Sequence, residues 1–159
     1  MENNKNGYSI EQLLRLKAST PFSQRLNDWI VNRTNNLKFT VECGEEMSFE
    51  EFKKATKKHG YMPISGDHCD NTIFGDPYIN ILFRAWHDAK HLELNEDFEY
   101  MSEARVAFAQ CAELPEDWHL ERELILIEVI AQAASHQKTG EFVENQRAFT
   151  INVLSSGRI

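Results

Sequence analysis

Asn80-Ile81-Leu82-Phe83-Arg84-Ala85-Trp86-His87-Asp88-Ala89-Lys90-His91 is the stretch whose reading decides the fold. Ile79, Phe83 and Trp86 recur at three- to four-residue steps, the period of a helix that buries one face. Continued by one turn, that face carries His87 and His91, four residues apart and therefore stacked on one side of the helix. An imidazole that points inward needs a polar partner. The stretch thus predicts a core helix over about 77–93 that carries chemistry on its buried side.

Working toward the C-terminus, two more helices are expected, over about 99–113 and 117–138. Pro115 and Asp117 separate them, and Gly140 ends the second. Residues 142–154 add a last helical piece. Toward the N-terminus, Ser9-Ile10-Glu11-Gln12 and Ser48-Phe49-Glu50-Glu51 have the form of capping boxes. The first opens a short helix with Ile10, Leu13, Leu14 and Leu16 at helical spacing. The second opens a helix that closes near Gly60. Between them, proline at a first turn predicts a helix from Pro21 to about Asn32, with Phe22, Leu26, Trp29 and Ile30 on its apolar face. Residues 37–41 alternate and read as a short strand. Residues 61–77, rich in Gly, Pro, Asp and Asn, read as a long irregular segment. The expected fold is mainly α: a single-domain helical bundle over 1–159, with a short N-terminal strand or hairpin and a metal-binding helical core over 77–138.

Composition narrows the function classes. The chain has 159 residues, 42% hydrophobic and 26% charged, with a net charge of −8. Such a balance suits a globular domain and argues against a surface that tracks phosphates, so no nucleic-acid partner is expected. No apolar run approaches a membrane span, since the longest, near 124–131, is interrupted by Glu128. The N-terminal residues Met1 to Asn6 are polar, without an apolar export signal. Cys43, Cys69 and Cys111 are odd in number and widely spaced, which suits reduced thiols in a cytoplasm.

The candidate site joins His87, Asp88 and His91 to Glu103. In the second core helix Glu103 shares a face with Val106, Ala107, Gln110 and Cys111, and a carboxylate on such a stripe calls for a counter-ion. Two imidazoles with carboxylates suit zinc, with iron or manganese as alternatives, better than calcium. Glu128 is the one charge in Leu124 to Ala131 and is the candidate catalytic base. Its structural alternative is a carboxylate paired with an arginine such as Arg105. Gln132 and His136 continue its stripe, although His136 also suits a helix C-terminus. Asp67-His68-Cys69-Asp70, Glu116 with His119, and His59 carry weaker signals, best read as turn, boundary and solvated helix end.

At these residues two resemblances appear. His87-Asp88-x-x-His91, eleven residues and then Glu103 resembles the HDxxHx11E zinc motif of the coenzyme-Q biosynthesis family, a helical family linked to decarboxylation and hydroxylation of a quinone ring. A longer stretch, from Leu82 to about Gln110, resembles a domain of phage-encoded polypeptides. Arg84, Ala85, His87, Asp88, His91, Phe98, Glu103 and Ala107 fill its places, while Lys90 and Asn95 stand where that pattern has small turn residues. Glu128 and Asn145-Gln146 correspond loosely to a later acidic residue and a Gln-Asn segment. The resemblance implies a metal-binding helical protein of phage or mobile-element origin, located in the host cytoplasm.

Three expectations follow. One is a metal-dependent hydrolase using metal-bound water, with His87, His91 and Glu103 as ligands, Asp88 as fourth ligand or as the group orienting a histidine, and Glu128 as base. Iron in the same site would instead favour oxidative chemistry. The second is an acidic module with a structural metal that binds a host protein, the five acidic residues between His91 and Ala104 being its contact surface; self-association is left open. The third is a buried hydrogen-bonded network without metal. No P-loop, dinucleotide glycine pattern or serine elbow is present.

Overall fold

The computed structural model describes residues 9–157. The chain is mainly α, as expected. Helix α1 (Ile10–Arg15) and helix α2 (Gln24–Asn35) precede strand β1 (Thr40–Gly44), helix α3 (Phe49–His59) and strand β2 (Tyr61–Ser65). Then come α4 (Pro77–Leu94), α5 (Tyr100–Glu113), α6 (His119–Leu126), a π-helical turn (Ile127–Ala131), α7 (Gln132–Thr139) and α8 (Gln146–Ser156). Both predicted capping boxes form, at Ser9 with Gln12 and at Ser48 with Glu51.

Three expectations need correction. Helix α2 starts at Gln24 rather than Pro21, because the Ser23 hydroxyl accepts from the Leu26 N–H and sets the cap. The N-terminal strand is not part of a hairpin: β1 pairs in parallel with β2, Thr40 opposite Tyr61 through Gly44 opposite Ser65, with α3 as the crossover. Strand β2 therefore occupies the start of the segment read as irregular. Its Met62 and Ile64 are buried while Tyr61, Pro63 and Ser65 are half-buried, an alternation masked by the flanking glycines and by Pro63. Proline is tolerated because a strand with one neighbour has a free edge. At the far end of β1 only glycine fits, since a Cβ on Gly44 would lie 2.5 Å from that of Pro63.

Helix α4 is the axis of the molecule. Asp76 caps it by accepting from the Tyr78 N–H at 2.8 Å, Pro77 occupies its first turn, and Asn95, in the left-handed region at φ 53°, ends it. Leu82, Phe83 and Trp86 face the larger core, with Phe22, Leu26, Ile30, Leu124 and Ile125. Ala85, Ile81, Ala89 and Leu92 face the smaller core, with Phe49, Phe52, Met62 and Ile64. His87 and His91 lie along the seam between the two. Lys90, buried on the same helix, pairs with Glu93 and with Glu113, which also holds Arg33 and accepts from the Trp86 indole N–H. That network fixes the roll of α4 against α2 and α5, and so the direction in which the histidines point.

Candidate metal centre

Helix α4 presents His87 and His91 to α5, where Glu103 stands in the first turn. The three side chains meet at one point. His87 Nε2 lies 3.0 Å from His91 Nε2, and Glu103 Oε2 lies 2.6 Å from the first and 3.3 Å from the second. The other ring nitrogens settle the tautomers. His87 Nδ1 donates to Gln110 Oε1 at 2.7 Å, and His91 Nδ1 donates to the main-chain carbonyl of Glu96 at 3.0 Å. Both partners only accept, so each neutral imidazole carries its proton on Nδ1 and turns its Nε2 lone pair into the site.

Two lone pairs and a carboxylate oxygen facing one another repel unless a cation lies among them. A tetrahedral ion with bonds near 2.0–2.1 Å separates its donor atoms by about 3.3 Å; the His91–Glu103 edge has that length, and the edges of 3.0 and 2.6 Å would open by a few tenths of an ångström to admit it. The donor set therefore fits a divalent metal in chemistry and in size. Without a metal, a proton takes its place: burial opposes charge on His87, but the hydrogen bond and charge of Glu103 outweigh it and raise its pKa. Burial likewise works against the Glu103 charge, yet the bonds from His87 and His91 hold its carboxyl down at about 2.

Asp88 lies at the edge of the triangle. Its carboxylate, His87 and His91 each offer a ligand atom within 4.8 Å of the others. Burial pushes its pKa up to about 6, against the pull of the two histidines. The expected role of Asp88 as the group that orients a histidine is not what the structure contains. Gln110 and the Glu96 carbonyl accept from the two Nδ1 atoms instead. The turn that delivers the carbonyl is tightly built. Left-handed Asn95 reverses the chain, the Glu96 N–H donates back to the His91 carbonyl at 3.0 Å, and the Glu96 carboxylate binds Arg105 through two bonds of 2.8 Å. Arg105 is therefore not the partner of Glu128. Most of the acidic stretch expected as a contact surface is also committed, with Glu93 on Lys90, Glu96 on Arg105 and Glu103 in the site.

The centre opens into a cavity of about 600 Å³ that His87, Asp88, Glu103 and Glu128 all line. Glu128 sits in the π-helical turn, an irregularity common at functional sites and invisible in the residue pattern. Burial pushes its carboxyl up to about 7, opposed by the charge of Arg84 and the hydrogen bond from Gln132 Nε2 at 2.7 Å. His136 and His68 sandwich Phe142 on the same wall, with ring centroids 4.4 and 5.2 Å away. The other weak candidates stay apart. His59 stacks on Tyr61, Asp67 and Asp70 join no ligand cluster among the described residues, and His119 is exposed. Cys69 and Cys111 are buried free thiols and Cys43 is an exposed one. No described helix is long and apolar enough to cross a membrane.

Sequence reasoning placed Gln110 on the inner face of α5 but missed its function; its position seven residues after Glu103 was the available signal. The Glu96 carbonyl carried no signal, because a main-chain acceptor is the same in every residue. No protein-family model matches the chain, and neither a curated protein nor a solved structure matches it.

Gln110 supplies a first prediction. Its Nε2 is buried without a partner among the described residues, so the amide serves through its oxygen. Leucine at this position removes one unsatisfied N–H but leaves the His87 Nδ1–H without its acceptor, so metal-free stability should fall by about 1–3 kcal/mol. It also frees the His87 ring to turn and to change tautomer, which weakens metal binding roughly 10–100-fold. Chelator competition measures the affinity, and urea unfolding of metal-free protein measures the loss of stability.

Proposed function

We propose that this protein is a divalent-metal-dependent enzyme, with hydrolysis the reaction its site fits best. The observation that carries this reading is the convergence of the two Nε2 atoms and the Glu103 carboxylate beside an open cavity that His87 and Glu103 line. His87, His91 and Glu103 would hold the ion, with Asp88, near both histidines, as a fourth ligand. Zinc at this centre supplies Lewis acidity and brings the pKa of water toward neutrality, with manganese and iron as alternatives to it. Across the cavity, Glu128 exchanges a proton with the reacting group, and its carboxyl near 7 suits both acid and base roles at neutral pH.

The same donor set supports a second reading, oxidative chemistry on iron, because two histidines and one carboxylate leave several positions open. A purely structural metal fits less well, since such a site is closed by protein ligands whereas this one borders a cavity. Metal analysis of tag-free protein decides first: about one equivalent of zinc, manganese or iron is expected per chain. Protein that purifies without metal and takes up none on titration removes the reading altogether.

Glu128 also predicts a pH dependence. Its folded pKa, about 7, lies above the unfolded value of roughly 4.3. Below pH 4 both states are protonated and burial of the side chain costs no charge. Between about pH 4.3 and 7 the unfolded state gives up its proton while the folded state keeps it, so the cost grows across that window; above 7 the folded state buries a carboxylate and the full cost persists. Glu128→Gln in metal-free protein should therefore stabilise by about 1–2 kcal/mol at pH 8 and by nothing at pH 4, the gain being limited because the group borders a solvated cavity. Urea unfolding against pH tests this, and an equal gain at both pH values would contradict it.

A further inference from the structure

The cavity beyond the metal centre has a chemistry of its own. Four carboxylates besides the proposed ligands line it: Glu128 on the inner wall, and Glu45, Glu46 and Glu99 at its exposed rim. Arg84 is the one lysine or arginine among the lining residues. Its guanidinium donates to the carbonyls of Ser65 and His68, at 2.8 and 3.4 Å, and its single charge acts on Glu128 and Asp88, so carboxylates outnumber it along the wall.

A separate observation comes from Gln146, which lines the same cavity and is 2% exposed. Its Nε2 donates to the His68 carbonyl at 2.6 Å, so the orientation of the amide is settled by an obligate acceptor. The other end, Oε1, is buried without a partner among the described residues. A buried acceptor left open costs on the order of 1–3 kcal/mol, and a ligand that brings a donor relieves it. Aromatic faces complete the wall, from Phe83, Phe98 and Phe142. Carboxylates, an open carbonyl acceptor and ring faces are together the groups that recognise a protonated amine on an apolar body.

We infer that the cavity binds a substrate bearing a primary or secondary ammonium group on an apolar body, held between Glu128, the Gln146 carbonyl oxygen and the aromatic wall. The volume, about 600 Å³, admits a molecule the size of a small peptide or an aryl-alkyl amine. The inference rests on the proposed metal enzyme for what happens to the substrate, but the cation preference belongs to the chain alone.

Phenethylammonium and its neutral near-isostere phenethyl alcohol are the probes, titrated at pH 7.5 into zinc-loaded and metal-free protein and followed by amide NMR shifts. The ammonium should bind at least about tenfold more tightly in both forms, with shifts at Phe98, Phe142 and Gln146. Added salt should weaken the ammonium and leave the alcohol unaffected. Glu45→Gln combined with Glu46→Gln, both exposed rim positions, should reduce the preference severalfold with no change in the fold. Equal affinity for alcohol and ammonium, or shifts confined to surface residues outside the cavity, would overturn the inference. If the protein takes up zinc and shows no preference, the amine inference alone fails. If it takes up no metal but retains the preference, the enzyme reading fails and the cation site stands.

Discussion

His91→Phe abolishes tight metal binding while leaving the protein folded. His91 is fully buried, its ring edge-on to Phe98 at a centroid distance of 4.9 Å and tilted against Phe49 at 6.3 Å. Phenylalanine fills most of that space with a similar planar group, so the seam between the cores stays packed. What is lost is one Nε2 donor and the Nδ1 bond to the Glu96 carbonyl. Loss of a ligand itself should exceed the 10–100-fold cost of a lost supporting hydrogen bond, so affinity should fall by more than about 100-fold. Zinc should raise the unfolding temperature of the wild type, because it binds the folded chain alone, and should leave that of the variant unmoved. Metal-free variant should lose about 1–3 kcal/mol relative to metal-free wild type, since the Glu96 carbonyl loses its donor. A variant that retains one tightly bound equivalent would show that His91 is not a ligand.

Arg25→Met should lower the melting temperature by several degrees. Glu121 in α6 is completely buried and accepts from Arg25 Nε at 2.6 Å, Arg25 Nη2 at 2.8 Å and the Ser23 hydroxyl at 2.8 Å. The Arg25 guanidinium also lies over the Trp118 ring at 4.6 Å. Methionine leaves the carboxylate in the core with the serine hydroxyl and its own main-chain N–H as donors and no counter-charge from Arg25. Breaking a buried pair by removal of one partner costs about 3–5 kcal/mol, which for a chain of this size lowers the melting temperature by roughly 6–20 °C. The pH dependence carries the sign. Burial works against the Glu121 charge, yet the bonds from Arg25 and Ser23 outweigh it and lower its pKa. Its stabilising contribution is therefore present above the unfolded carboxyl pKa and is lost as pH falls through the lower folded value. In the variant that acid-side loss should shrink, because burial then raises the Glu121 pKa and protonation relieves the strain. Calorimetry from pH 3 to pH 8 measures both effects. Because Arg25 lies far from the cavity lining, zinc binding by the folded variant should be unchanged.

Much of the site was legible in local sequence. A four-residue step stacks His87 over His91 in any helix, and the apolar residues before them decide which way that face turns. Glu103 was legible for the same reason, as a charge on a small, apolar stripe. The capping boxes at Ser9 and Ser48 were legible because a cap is made within four residues.

What escaped the sequence was made by residues far apart in the chain. Strand β2 exists because packing of α3 brings residues 61–65 beside β1, and nothing local overrides the turn-like composition around Pro63. The alternative partner for Glu128 is excluded because Arg105 is claimed by Glu96 across the α4–α5 turn, and Gln132 donates to Glu128 instead. The carbonyl that orients His91, the amide that orients His87 and the cavity that joins them to Glu128 are products of three helices meeting. The residue pattern therefore determined that His87, His91 and Glu103 would face the interior. The tertiary structure alone decided that their nitrogens and oxygen would converge with both ring protons drawn to the outside, because hydrogen-bond partners distant in sequence are assigned only when packing sets the distances between them.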